Sequence, residues 1–243
     1  IGQTTSWQSE WYQPLSAGNP LFIAPHLAIT QRSADLYDDD RRIGTYDMFS
    51  TLAGVDVGSQ FNRYGELRLG LVTGQVSPSL DSGPDYLEVE NKRLTAGALT
   101  ARLRLDQLDS ANFPRSGWRS QISLFDSQQA LGAEEDYAKW SGEFTSAISF
   151  DSHTFNFALF AADKLSDAPL PTYENVQWGG FLQQSGYAPG QLLGEDLQFG
   201  RVMYYKRIMQ GSLLEGAYGG ISLEVGRMGE PLVKSNSNDW IIS

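Results

Sequence analysis

The sequence contains no cysteine. That excludes thiolate metal sites, disulfide staples and cysteine nucleophiles, while leaving the compartment open. Positive charge is scarce: 18 Lys and Arg stand against 29 Asp and Glu, for a net charge of −11 over 243 residues. The cations are scattered, so no basic patch exists for a nucleic acid to follow. The two histidines, His26 and His153, lie far apart. No Ser/His/Asp set, metal-ligand spacing or G-x-S-x-G elbow accompanies them, so the chain offers no catalytic residue, metal site or cofactor site. There is no run of ~18 apolar residues, and a membrane-spanning helix is excluded. A membrane β-barrel is not excluded, because alternating strands average their hydropathy away. No signal peptide opens the chain, and both ends, Ile1-Gly-Gln and Asn238-Asp-Trp-Ile-Ile-Ser243, read as those of a piece cut from something longer.

What is present is period-two alternation. Leu21, Ile23, Pro25, Leu27 and Ile29 form one row, and Phe22, Ala24, His26, Ala28 and Thr30 the other. Leu67, Leu69 and Leu71 oppose Glu66 and Arg68; Leu99, Ala101, Leu103 and Leu105 oppose Thr100, Arg102 and Arg104. Phe144, Ile148 and Phe150 oppose Glu143, Thr145 and Ser149, and Ile221, Leu223 and Val225 oppose Ser222 and Glu224. The pattern predicts an all-β chain, residues 1–243, of roughly ten to twelve strands of about ten residues. Short turns such as Asp151-Ser-His and Gln210-Gly-Ser alternate with long connections at 31–44, 75–92, 127–138, 163–196 and 227–239. Asp35–Arg42, with three consecutive aspartates, reads as a solvated loop rather than a calcium loop. Leu131–Trp140 reads as a short helix inside one connection.

Alternation fits a soluble sandwich or lipocalin-like barrel, apolar inside, and equally a membrane barrel with a polar lumen. Strand length favours the membrane version, since strands in sandwiches run nearer five or six residues. Trp7, Trp11, Tyr46, Tyr64, Trp118, Trp140, Tyr204 and Tyr205 then suit interfacial girdles. Glu66, Arg68, Arg102, Arg104, Glu143 and Glu224 become lumen-lining. Arg201 fits poorly, sharing a face with Leu197, Phe199 and Met203; it requires an interface or a bulge. Trp178–Gly194 has no period, five glycines and one proline, and many apolar side chains. It reads as a long loop folded back into the lumen.

Two motifs carry a resemblance. Asp106, Asp109, Phe113, Pro114 and Gly117 match a D-x-x-D-x-x-x-F-P-x-x-G strand-turn-strand signature. It is similar to that of the bacterial surface antigen family, the barrel superfamily of outer-membrane protein insertases and two-partner secretion transporters. In that superfamily a lumen loop carries a V-R-G-F/Y tip; the matching positions are Gln184, Ser185, Gly186 and Tyr187, with serine in place of arginine. Gly180-Phe-Leu-Gln-Gln-Ser-Gly-Tyr187 resembles the loop of the patatin-like type Vd (PlpD-like) autotransporters, as do the strands around Tyr204-Tyr205 and Gly220–Gly226.

The resemblance implies a transmembrane antiparallel barrel with about twelve of a probable sixteen strands present. The patatin-like lipase, the periplasmic domains and the last strands would lie outside this stretch. It also implies an outer-membrane location and a role in translocating or displaying a passenger. The implied partners are outer-membrane lipid, the passenger polypeptide and the outer-membrane assembly machinery, with a homodimer left open. An insertase or two-partner transporter, a porin-like channel and a soluble carbohydrate-binding barrel remain alternatives.

Overall fold

The computed structural model describes residues 4–16, 18, 20–38, 40–83, 92–209, 217–232 and 239–243. The Gln210-Gly-Ser turn, Pro84 and part of the connections at 75–92 and 227–239 lie outside the described residues. Thirteen strands form one antiparallel sheet: β1 (Thr4–Glu10), β2 (Gln13–Pro14), β3 (Leu21–Asp38), β4 (Arg41–Gln60), β5 (Gly65–Ser82), β6 (Leu94–Asp106), β7 (Gly117–Ser127), β8 (Tyr137–Phe150), β9 (His153–Lys164), β10 (Val176–Trp178), β11 (Leu192–Met209), β12 (Ala217–Pro231) and β13 (Ile241–Ile242). The main path runs from β1 through β3 to β9, then β11, β12 and β13; β2 pairs with β3, and β10 with β11.

The register decides which side chains share a face. Glu224 stands opposite Arg201, Arg201 opposite Ala158, Ala158 opposite Thr145, Thr145 opposite Arg119, and Arg119 opposite Asp106. These six residues therefore point the same way, and their chain neighbours point the other way. On the second face Leu69 and Leu159 are each 58% exposed, Leu223 61% and Ile221 75%, whereas Glu224 is 0% exposed. Aliphatics thus face outward and charges inward. A soluble barrel has the reverse arrangement, so the outward belt is a lipid-facing surface.

The connection between β9 and β11 touches the inward face at both ends of the strand order. Arg32 on β3 donates to the Tyr173 carbonyl (2.9 Å), while Glu224 on β12 accepts from the Gln184 amide (2.9 Å). One loop reaches both strands only if the sheet curls around it.

Several sequence expectations are corrected. β3 and β5 are 18 residues long and β4 is 20, not about ten. At ~3.3 Å per residue, β4 is roughly twice as long as the ~30 Å hydrocarbon layer is thick, so its end overhangs. Residues 31–38 and 41–44 accordingly belong to paired strands β3 and β4 rather than to a loop, with Thr45 bonded to Asp35 (3.1 Å) and Arg42 to Asp35 (3.4 Å) on the outer side of the hairpin. The overhang keeps a polar outer face. Its inner face buries Ala34, Leu36, Tyr46, Val76 and Leu94 against Tyr173 and Leu193. β5 runs to Ser82, and β12 to Pro231, shortening two more supposed loops.

No α-helix forms in Leu131–Trp140; a single 3-10 turn, Gln129–Leu131, precedes β8. Tyr46 and Tyr205 are not girdle residues: they are 3% and 2% exposed, and both point inward.

Candidate functional site

The loop spanning 165–191 enters the lumen through strained backbone. Gly179 and Gly180 adopt φ of 120° and 108°, and a Cβ on Gly179 would meet the Ala188 carbonyl oxygen at 2.5 Å. Leu182 and Gln184 also lie in the left-handed region, at φ of 62° and 72°. Non-glycine residues rarely adopt that conformation without surrounding structure that enforces it. Gly186, which the motif singled out, does not use positive φ.

What enforces it is Glu224. Its carboxylate accepts from the Gln184 amide (2.9 Å), the Ser185 amide (2.8 Å) and the Ser185 hydroxyl (3.0 Å). Ser222 adds a fourth donor at 3.2 Å. A fully buried carboxylate is tolerated because these donors replace its water. Gln184, 1% exposed, sends its carboxamide nitrogen to the Ile241 carbonyl (3.0 Å) and the Ser243 hydroxyl (3.3 Å), tying the loop to β13 as well.

Arg201 is the second anchor. The requirement for an interface or a bulge falls away, because this residue points into the lumen. Its Nη1 donates to the Leu182 carbonyl (2.8 Å), and its Nη2 to Asn156 Oδ1 (3.3 Å). Leu197 and Phe199 share its face because they also meet the loop. Trp178 stacks on Phe160 and tilts against Phe199, at centroid distances of 4.7 and 5.0 Å, with Tyr187 at the margin of the cluster. The Ser185 position thus carries no lumen cation; the wall supplies one from β11 instead.

The 107–116 turn forms a second inward structure. Asp106 accepts from the Leu108 amide (3.2 Å), and Asp109 from the amides of Arg115 (2.8 Å) and Ser116 (3.2 Å). Gly117, at φ 94°, closes it. The turn then reaches past β8 and β9. Phe113 stacks on Tyr218 at 4.5 Å, the Tyr205 hydroxyl donates to the Pro114 carbonyl, and Arg115 donates to the Asp151 carbonyl. This end of the lumen is roofed along β8 to β12, which leaves Thr154 and Asn156 buried beneath it.

Alongside the 170–177 part of the loop lies a cavity of about 800 Å3, whose walls include Glu10, His26, Arg68, Arg102, Tyr173 and Asn175. Arg68 is saturated by Glu66 (2.8 Å), Glu10 (2.6 Å) and Asp56 (3.5 Å), and lies 5.2 Å from the Phe22 ring centroid. The register places Glu66, Arg102, Arg104 and Glu143 on the same inward face, with Arg102, Arg104 and Glu143 solvated. Sequence reasoning missed Asn156 as a loop contact and Tyr205 as a turn contact. The signal for Arg201 was present, as a cation out of place in an apolar row.

A comparison with protein families matches residues 3–220 to the Omp85 superfamily domain. Among solved structures, the chain is similar to BamA from Haemophilus ducreyi lacking POTRA domains 1-3, with a TM-score of 0.73 and 10% identity over 92% of this chain and 49% of that one. It is also similar to CdiB from Acinetobacter baumannii, with a TM-score of 0.57 and 11% identity over 98% of this chain and 42% of that one. The chain therefore spans about half the length of these relatives or less, and at such identities the likeness is one of fold. No curated protein matches the chain. A family match over nearly the whole length, an outward aliphatic belt and a loop anchored in a polar lumen agree: the chain belongs to the Omp85 superfamily and is a bacterial outer-membrane β-barrel protein.

Proposed function

We propose that this chain is the translocation barrel of a secretion protein, that the 165–191 loop is its lumen brace, and that its passenger is a patatin-like lipase on the same polypeptide. The observation that carries the reading is the seating of Gln184 and Ser185 on Glu224. A loop fixed at that depth constricts the lumen and leaves a hydrated path beside it, lined by Arg68, Arg102 and Ser141. Chemistry at this site is limited to solvating and steering an unfolded chain; the wall makes and breaks no bond. The finer assignment to the type Vd group rests on Gly180–Tyr187 and on serine at the tip, where insertases and two-partner transporters carry arginine. Outer-membrane lipid and the assembly machinery are partners in this reading, and a homodimer is compatible with it.

The test is surface display by cells making the full-length gene product. Protease shaving and lipase assays on intact cells should find the passenger outside, attached in cis. Glu224→Ala should reduce display while the barrel still migrates as a heat-modifiable species. Export of a separate client with no attached passenger overturns this reading in favour of a two-partner transporter.

A further inference from the structure

One wall of the lumen carries arginines whose register partners are engaged elsewhere. Pairing sets Glu66 directly opposite Arg104, and Asp106 directly opposite Arg119. Opposite charges in such positions ordinarily pair. Here the Glu66 carboxylate binds Arg68 at 2.8 and 3.2 Å, and Asp106 accepts the Leu108 amide of its own turn. Arg102 faces Arg68, already surrounded by three carboxylates. Arg102, Arg104 and Arg119 thus have no ion pair or hydrogen bond among the described residues. Each guanidinium presents a planar fork of N–H donors that matches a carboxylate. Their inward neighbours on β7 and β8 are Ser123, Gln121, Ser141 and Thr145, which are neutral, and Glu143, which forms no ion pair with them. Arg102, Ser123 and Ser141 open onto the cavity.

We infer that the β6–β7 wall is a docking track for an acidic, extended segment of the polypeptide in transit. Spacing supports this as well as charge. Arg102 and Arg104 alternate on one strand face, about 6.7 Å apart at the ~3.35 Å rise of a strand. An extended chain with a carboxylate at every second residue repeats at that same interval. Serine and glutamine side chains beside the arginines offer neutral hydrogen bonds to the intervening residues. Glu143, on the next strand, limits the track and repels an acidic segment that drifts toward β8. The inference rests on reading the lumen as a polypeptide path.

The test uses the full-length protein in detergent with fluorescent peptides of equal length: alternating Glu-Ser, alternating Lys-Ser, and Glu-Glu-Ser-Ser blocks. Anisotropy should show the alternating acidic peptide binding about tenfold tighter than the lysine peptide, from three solvated charge pairs of roughly 0.5 kcal/mol each. The blocked peptide should fall between them. Arg102→Gln/Arg104→Gln/Arg119→Gln should abolish the preference, and Glu143→Gln should strengthen it. Heat-modifiable migration establishes that each variant is folded, and the three single Gln variants give graded losses if the triple variant does not assemble. Equal binding of acidic and basic peptides, or acidic binding unchanged in the Gln variants, overturns the inference. So does an effect confined to chloride-over-potassium selectivity in planar bilayers, which would make the wall a filter for small ions only. Arginine-dependent peptide binding in a protein that displays no passenger supports the track and defeats the secretion reading instead.

Discussion

Arg201 stands directly opposite Glu224 in the pairing of β11 with β12, yet no ion pair closes between them. Each turns to the loop instead. The cation takes the Leu182 carbonyl and the anion takes the amides of Gln184 and Ser185. A loop backbone is threaded between two opposite charges, donor end to carboxylate and acceptor end to guanidinium. This holds Leu182 and Gln184 in left-handed conformations that would otherwise relax.

Removing the carboxylate tests the clasp. Glu224→Ala leaves the buried Gln184 amide and the part-buried Ser185 amide without an acceptor and should cost about 2–4 kcal/mol, measured by urea unfolding in micelles. Glu224→Gln keeps one acceptor oxygen and should cost less. Because Arg201 and Glu224 hold one short stretch of the loop, at Leu182 and at Gln184 and Ser185, Arg201→Ala combined with Glu224→Ala should lose less than the two single losses added together. Strict additivity would mean that the two charges act on the fold separately.

The belt gives the second prediction. Leu69→Arg puts a charge on the lipid face and should destabilise the micelle-bound barrel by ~2–4 kcal/mol. Ser141→Arg, pointing into the solvated lumen, should change stability by well under half of that. Equal penalties at both positions would reverse the inside and outside of the sheet.

Alternation was legible in the chain because period two survives in any half-buried strand. Orientation was less so, since soluble and membrane barrels alternate alike; the burial of Glu224 beside an exposed Leu223 decides it, and that needs the loop in place. The 31–44 hairpin was misread for a related reason. Its outward residues include Ser33 and Asp35, bonded across to Asp47 and Thr45, and a polar outward face at an overhang looks like a loop when strands are assumed to end with the membrane. Arg201 was visible as an anomaly, but its explanation lay nineteen residues upstream, at Leu182. Phe113 was recognised as part of a signature, while its stacking partner Tyr218 lies 105 residues away and is found only by tertiary contact.

The 107–116 turn yields the third prediction. Tyr205→Phe removes the hydroxyl that meets the Pro114 carbonyl, and should cost about 1 kcal/mol. Phe113→Ala removes the stack on Tyr218, worth about 0.5–1.5 kcal/mol beyond the lost area. Both should also raise single-channel conductance, because the turn roofs that end of the lumen. Destabilisation with unchanged conductance would leave the turn a brace and not a constriction.

The last prediction concerns pH beyond the apolar belt, where Lys164 ends β9 and bonds Glu195 (2.7 Å) and Glu230 (2.6 Å) at the loop entrance. Hydrogen bonds donated to the two carboxylates hold the Lys164 ammonium above its usual range, against a smaller opposing effect of burial. The Lys164 hydrogen bond in turn holds Glu230 below the usual carboxylate range. A raised lysine contributes stability below its unfolded value of ~10.4 and loses it as pH rises through the folded value. A depressed glutamate contributes above its unfolded value of ~4.3 and loses it as pH falls through the folded one. Attachment of the loop base should therefore be flat from about pH 5 to pH 9 and weaken on both sides. Spin-label mobility at residue 167 would follow it. Lys164→Met should flatten both limbs at once, because each shift depends on the same ammonium. If only the alkaline limb flattens, the acid limb belongs to other carboxylates, and Glu230 does not anchor the loop through Lys164.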